Sequence, residues 1–152
     1  MTGDQRSSGG LEGRFDERVA RGLTHADELV TGLPAFLGAR IVEVAAGRLV
    51  AELQVRDDLL TPFGTLHGGV MAGLVDHVLG VVLYPLIPRG AWAATTEFKL
   101  NYLAAVRAGT LRAEATVLSM TRRTAVVRAE VTNDGELVGA AQGTLLIVVP
   151  RE

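Results

Sequence analysis

The sequence predicts an α+β domain in which an antiparallel sheet wraps around one long central helix, with a helical segment in front of it. Three observations carry that prediction. Between His67 and Leu86 apolar residues recur at 70, 74, 78 and 82 and again at 71, 75, 79 and 83. That is a helical period on more than one stripe, as in a helix buried on most sides. On both sides of it the period falls to two, as in strands with one covered face. The chain is 152 residues long, enough for one domain with a sizeable core, and shows no internal repeat.

Taken in order, Met1 to Gly10 is polar and rich in Gly and Ser, and reads as a disordered tail or a cloning remnant. The single domain then runs from residue 11 to 150. Its first part, 11–36, is a helical flank: Leu11, Phe15, Val19 and Leu23, then Ala26, Leu29 and Val30, follow an amphipathic pattern with a break around Gly22 to His25. Gly38 to Ala45 and Arg48 to Arg56 form a hairpin turning at Ala46-Gly47, because Leu49, Ala51, Leu53 and Val55 alternate with Glu52, Gln54 and Arg56. A loop from Asp57 to Thr65 delivers the chain to the central helix, which ends near Pro85 and Pro88-Arg89-Gly90.

From Ala91 the alternation puts Trp92, Ala94, Thr96, Phe98, Leu100 and Tyr102 on one face and Thr95, Glu97, Lys99 and Asn101 on the other. Thr110 to Ser119 and Thr124 to Thr132 continue as strands, and Asn133-Asp134-Gly135 is a strong turn signal before Glu136 to Val149. A hairpin, one helix and four strands with short turns are satisfied by a sheet folded over the helix.

Composition narrows the function. The formal net charge is -2 with no basic run, which gives no case for nucleic acid. There are no cysteines, so disulfides, thiol nucleophiles and zinc-thiolate sites are excluded. His25, His67 and His77 lack metal-site spacing, and no metal is expected. The central helix is interrupted by Asp76, His77 and Pro85, against a membrane span, and without an apolar signal core the expected location is cytoplasmic.

The chemistry gathers in Gly64 to Asp76. Asp76 is the one charge in the first half of an apolar helix, and Gly69, Gly73, Asp76 and Gly80 fall on one lane. Each helical glycine costs about 0.5–1 kcal/mol relative to alanine, so the lane leaves room for another chain or a ligand. The helix start offers unpaired N–H groups and partial positive charge, suited to a developing oxyanion. Asp76 lies eight residues beyond Gly68, about 12 Å along the axis. One carbonyl carbon cannot be next to both, so a site using both needs two chains, as in a two-fold pair of antiparallel helices.

His67-Gly68-Gly69 followed by Asp76, and later Thr95-Thr96-Glu97-Phe98-Lys99-Leu100-Asn101-Tyr102-Leu103, resembles the hotdog-fold acyl-CoA thioesterases of the phenylacetate-pathway (PaaI-like) type, over about Leu37 to Val149. The resemblance implies the hotdog fold, a homodimer or homotetramer, and hydrolysis of an acyl- or aryl-coenzyme A thioester with no cofactor, coenzyme A being part of the substrate. It implies that Asp76 is nucleophile or general base, that the Gly68 N–H binds the oxyanion from the partner chain, that His67 orients the loop and that Thr95 helps hold the water. Around these, Gly69 and Phe63 are expected to contact substrate, Phe63 by narrowing the acyl pocket. Arg122 and Arg123 at a strand turn offer bidentate contacts to phosphate, although solvated charges are the ordinary alternative. Many relatives carry Asn or Gln where this chain has Thr61, whose hydroxyl cannot reproduce an amide's reach. Two other readings stay open: a hotdog hydratase or dehydratase, and a non-catalytic acyl-CoA-binding module.

Overall fold

The computed structural model describes residues 9–25 and 31–150. Its elements are α1 (Gly9–Glu12), α2 (Glu17–Thr24), α3 (Gly32–Leu37), β1 (Arg40–Ala45), β2 (Arg48–Gln54), α4 (Gly68–Val81), β3 (Trp92–Tyr102), β4 (Thr110–Met120), β5 (Thr124–Asn133) and β6 (Glu136–Val148). All six strands join one antiparallel sheet in the order β1-β2-β4-β5-β6-β3. The chain leaves β2, crosses the inner face of the sheet as α4, and enters β3 at the far edge. This is the predicted sheet around a helix.

The flank differs in detail from the sequence expectation. Gly9 and Gly10 belong to α1, so helical structure starts before residue 11, while most of the expected tail, and Ala26, Leu29 and Val30, lie outside the described residues. Asp16 caps α2 by accepting the N–H groups of Arg18 (2.9 Å) and Val19 (3.2 Å), and its own N–H donates to the Pro85 carbonyl (2.8 Å). That bond ties the flank to the far end of α4.

The central helix was expected to run to Leu86, but the α-helical ladder stops at Val81. Leu83 N–H already reaches only three residues back, to Gly80, and Tyr84–Leu86 is a single 3-10 turn. Pro85 explains the change, because it has no N–H to continue the ladder and its ring clashes with the preceding turn. Gly68–Leu86 is apolar and long enough to cross a membrane by composition alone. Here it is the core helix, with Leu74, Val75, Val78 and Leu79 fully covered by the sheet.

The turn between β5 and β6 is built as its residues predict. Asn133 pairs with Glu136, leaving Asp134 (φ 50) and Gly135 (φ 88) as the two central residues. Positive φ at both defines a type I′ hairpin turn, which matches the right-handed twist of the strands.

In β3 the structure corrects the expected faces. The register shifts between Thr95 and Glu97, so Thr96 is an extra, bulged residue, and its hydroxyl donates to the Thr144 carbonyl (2.8 Å). The bulge reverses the alternation. Thr95 lies opposite the fully buried Leu145 and shares the inner face with Phe98 and Leu100, whereas Trp92 points outward. Gly143 makes the bulge possible, since a Cβ there would sit 2.7 Å from the Glu97 carbonyl oxygen.

Candidate active site

The loop from Thr61 to Leu66 sets the helix start. Thr61 N–H donates to the Thr65 carbonyl (2.7 Å), Leu66 N–H to the Val106 carbonyl (2.7 Å) and His67 N–H to the Leu59 carbonyl (3.0 Å). His67 therefore arrives fixed, in extended backbone conformation, as the N-cap of α4. Its Nδ1 accepts the Gly69 N–H at 2.9 Å. Nδ1 is thus unprotonated in the neutral ring and Nε2 carries the hydrogen.

The carbonyl of that same Gly68-Gly69 peptide unit accepts the Tyr102 hydroxyl at 2.8 Å. His67 and Tyr102 hold the unit from both ends. The preceding N–H, that of Gly68, has no partner among the described residues, and it opens on a cavity of about 530 Å³ lined by Thr65, His67, Tyr102 and Leu103 to Val106. A fixed N–H at a helix start, beside a cavity, is the geometry of an oxyanion donor.

Along α4, the lane of small residues and Asp76 that the sequence marks out is the least covered side of the helix in the protomer. Gly69 and Asp76 are exposed, and Ala72, Gly73, His77 and Gly80 are half-covered. Asp76 has no hydrogen-bond or ion-pair partner among the described residues. Its exposure also means that desolvation of its carboxylate requires another molecule on the lane. The half-buried His77 has its pKa pushed below the ordinary 6.5 by burial, with the Asp76 charge opposing. Thr95 stands on the inner sheet face through the bulge described above.

Other expected site residues are placed elsewhere. The Thr61 hydroxyl is engaged inside its own loop, 3.1 Å from the Thr65 hydroxyl and accepting the Phe63 N–H at 3.3 Å. Phe63 is 86% exposed and lines neither cavity beside the helix start. Arg122 and Arg123 sit with Ile147 to Val149 at a separate depression, and Arg122 also neighbours Leu86 to Arg89 beyond the far end of α4. The structure thus brings together His67, Gly68 and Gly69, and keeps Thr61, Phe63 and the two arginines away from them within one protomer.

Sequence reasoning missed Tyr102 as a partner of the helix start; α3 falls almost wholly within the expected helical flank 11–36, but beyond Val30, the last apolar position read there, and was not marked as a separate helix. A second cleft, of about 300 Å³, lies on the other side of His67 and Gly69, between them and Leu33, Phe36 and Leu60. Tyr102 had a visible signal as the end of the β3 pattern; for α3 a six-residue helix gives almost none.

A family model, that of the thioesterase superfamily, matches residues 63–140, just over half of the chain, and the match contains the helix start, Asp76 and all of β3. The chain belongs to the thioesterase superfamily. Its sheet around a central helix is the hotdog fold of that superfamily. It is 31% identical over 105 residues to the 1,4-dihydroxy-2-naphthoyl-CoA hydrolase of Listeria monocytogenes, covering 69% of this chain and 85% of that one. To human acyl-coenzyme A thioesterase 13 it is 28% identical over 107 residues, 68% of this chain and 76% of the relative. Among solved structures, a point variant of the phenylacetic acid degradation protein PaaI of Thermus thermophilus aligns with a TM-score of 0.70 and 30% identity, covering 76% of this chain and 97% of that one. The resemblance to PaaI-like proteins seen in the motif is borne out by this likeness.

Proposed function

We propose that this thioesterase-superfamily protein hydrolyses an acyl- or aryl-coenzyme A thioester in a site shared by two copies of the chain. The observation that carries the reading is the pairing of a Gly68 N–H, fixed at the helix start, with an Asp76 two turns further along the helix, both without a partner among the described residues. At about 12 Å apart along one helix they cannot serve one carbonyl, so antiparallel packing of two α4 helices sets each Asp76 beside Gly68 of the partner subunit. The sheet supports such a pairing. β3 is an edge strand of 11 residues, a length of unpaired backbone that folded proteins cover.

In the proposed reaction Asp76 takes a proton from water as the water oxygen attacks the thioester carbon, or attacks it directly to give an anhydride that water then opens. The oxygen of the tetrahedral intermediate is held by the Gly68 N–H. The C–S bond breaks, coenzyme A leaves as thiolate and takes up a proton, and the acid is released. His67 holds the Gly69 N–H, which keeps the Gly68 N–H as the donor presented to substrate, and Thr95 on the inner face helps hold the water. Gly69 leaves the approach bare. Arg122 and Arg123 lie towards the far end of α4, the end an antiparallel partner brings nearer its own helix start, and would grip coenzyme A phosphates.

A hydratase needs an acid–base pair on carbon, and the one pair that two antiparallel copies would assemble is His67, with only Nε2 left to offer, and the partner's Asp76, which hydrolysis already uses. Hydrolysis of the thioester is the better reading. The test is release of free thiol from a panel of short-, medium- and aryl-CoA thioesters. Asp76→Asn should lower kcat about 10²–10⁴-fold, with an unchanged unfolding midpoint because the carboxylate is exposed and unpaired. Full activity of that variant would overturn the mechanism; tight acyl-CoA binding without turnover by the unmodified protein would favour a non-catalytic module.

A further inference from the structure

We infer that α3 is the acyl-binding wall of the site, and that Leu33 and Phe36 select a neutral, apolar acyl or aryl group of moderate size. The inference rests on the hydrolase reading for its substrate and adds the class of its acyl group. A thioester has two arms that diverge from the reacting carbon. The structure has two hollows that share His67 and Gly69, and Gly68 lines the larger of them. Each arm needs its own hollow, and their chemistry differs.

The larger hollow is mixed, with Leu66, Met71 and Leu103 beside His67, and the N–H groups of Ala104 and Ala105, in the irregular stretch after β3, have no partner among the described residues. Free backbone amides suit an arm that carries amides of its own, as the pantetheine arm of coenzyme A does. The smaller cleft is walled by Leu33, Phe36, Leu37 and Leu60, and about 300 Å³ places it at the small end of ligand sites. It fits an aryl ring or a chain of modest length.

Two further features point to an acyl occupant. Leu33 and Phe36 are 57% and 65% exposed, large apolar side chains on a helix otherwise anchored by the buried Leu37. The wall is also anchored at its C-terminal end. The Arg56 guanidinium donates to the carbonyls of Phe36 (3.0 Å) and Leu37 (2.9 Å) at the C-terminal end of α3, and to the Asp58 carboxylate (3.1 Å). On its other side α3 closes on the bare backbone of α4, where a Cβ at Gly73 would meet Leu37 at 3.2 Å and Leu33 at 3.5 Å. Asp58 lines the cleft, whereas Arg56, which pairs with it, does not. An acyl group ending in a carboxylate would meet that acid, so the class is neutral.

The test uses the full chain with acetyl-, hexanoyl-, benzoyl- and glutaryl-CoA. Phe36→Ala removes wall area and should lower kcat/KM for hexanoyl- and benzoyl-CoA relative to acetyl-CoA about tenfold or more, and glutaryl-CoA should be the poorest of the longer substrates. Leu33→Trp, which fills the cleft, should lower the same ratio by a different route and checks that loss of folding is not the cause. A parallel measurement of equilibrium binding of hexanoyl-CoA against free coenzyme A, in the Asp76→Asn background, reads the wall without turnover. Thiol release with a substrate profile that neither variant moves would overturn the wall and leave the hydrolase. No thiol release, with a hexanoyl binding preference that both variants erode, would overturn the hydrolase and leave the wall.

Discussion

On one face of α4, Leu74, Val75, Val78 and Leu79 are fully covered by the sheet, while on the opposite face Gly69, Asp76 and Gly80 leave bare backbone and a carboxylate with no partner among the described residues open to the surroundings. The same 14 residues form both faces. The covered face gains free energy from apolar burial within the chain. The open face makes no such contribution and its glycines cost helix stability; α3 accounts for Gly73 from within the chain, and the rest of the face is explained by what comes to it from outside. The contrast separates residues that hold the helix in place from residues that use its position, and substitution on each face should give opposite outcomes.

The largest effect on stability is expected on the covered face. Leu79→Ala removes a fully buried side chain and leaves a cavity, for an expected loss of about 2–5 kcal/mol in urea unfolding. Thiol release per folded molecule should change far less than in Asp76→Asn. If Leu79→Ala instead lowered turnover without shifting the unfolding midpoint, the division between the two faces would be wrong.

Between the faces stands the helix start. Tyr102→Phe deletes the hydroxyl that donates to the Gly68 carbonyl, a loss of about 0.5–1.5 kcal/mol for one hydrogen bond. Tyr102 touches the peptide next to the oxyanion donor, not the donor itself. Its loss should therefore lower kcat a few-fold while KM for the thioester stays near its original value. A change confined to KM would place Tyr102 in substrate binding rather than in holding the donor.

How much of this could be seen in the sequence follows from how local each signal is. The type I′ turn at Asp134-Gly135 was legible because two adjacent residues carry all of it. The central helix was legible from its period, and the lane of Gly69, Gly73, Asp76 and Gly80 was legible from its spacing as room for another chain or a ligand. The bulge at Thr96 has no Gly or Pro of its own to mark it. Its cause is Gly143, across the ladder, and no pattern within β3 shows that. The place of α3 within the helical flank was hidden for a similar reason, since Arg56, about 20 residues later, holds its end. The motif His67-Gly68-Gly69 was legible as a unit, whereas its clamp by Tyr102 spans 34 residues.

A smaller effect tests whether a second copy uses the open face. Nothing lies within 4 Å of a Cβ placed at Gly80. In the isolated protomer Gly80→Ala should therefore stabilise the helix by about 0.5–1 kcal/mol. Against a closely packed partner helix the added methyl would be in the way, and self-association measured by sedimentation should weaken. Raised stability with unaltered association would show that no second chain packs at that position.

The smallest effect expected is in the pH dependence of stability, and it arises where the two faces meet, at half-buried His77. Burial holds its pKa below the ordinary 6.5, the nearby Asp76 carboxylate opposing. Above pH 6.5 the ring is neutral in both folded and unfolded chains and contributes no slope. As pH falls below 6.5 the unfolded chain binds a proton that the folded ring resists, so stability falls with pH until the lowered folded pKa is passed. The paired carboxylates of Glu43 and Glu114, held below their ordinary 4.5 chiefly by hydrogen bonds from Arg48, lose their contribution only at lower pH. His77→Gln should flatten the slope just below pH 6.5 and leave the more acidic part unchanged. If a partner covers the lane and buries His77 further, that slope should steepen at protein concentrations where the chain associates, which urea midpoints at two concentrations and two pH values would measure.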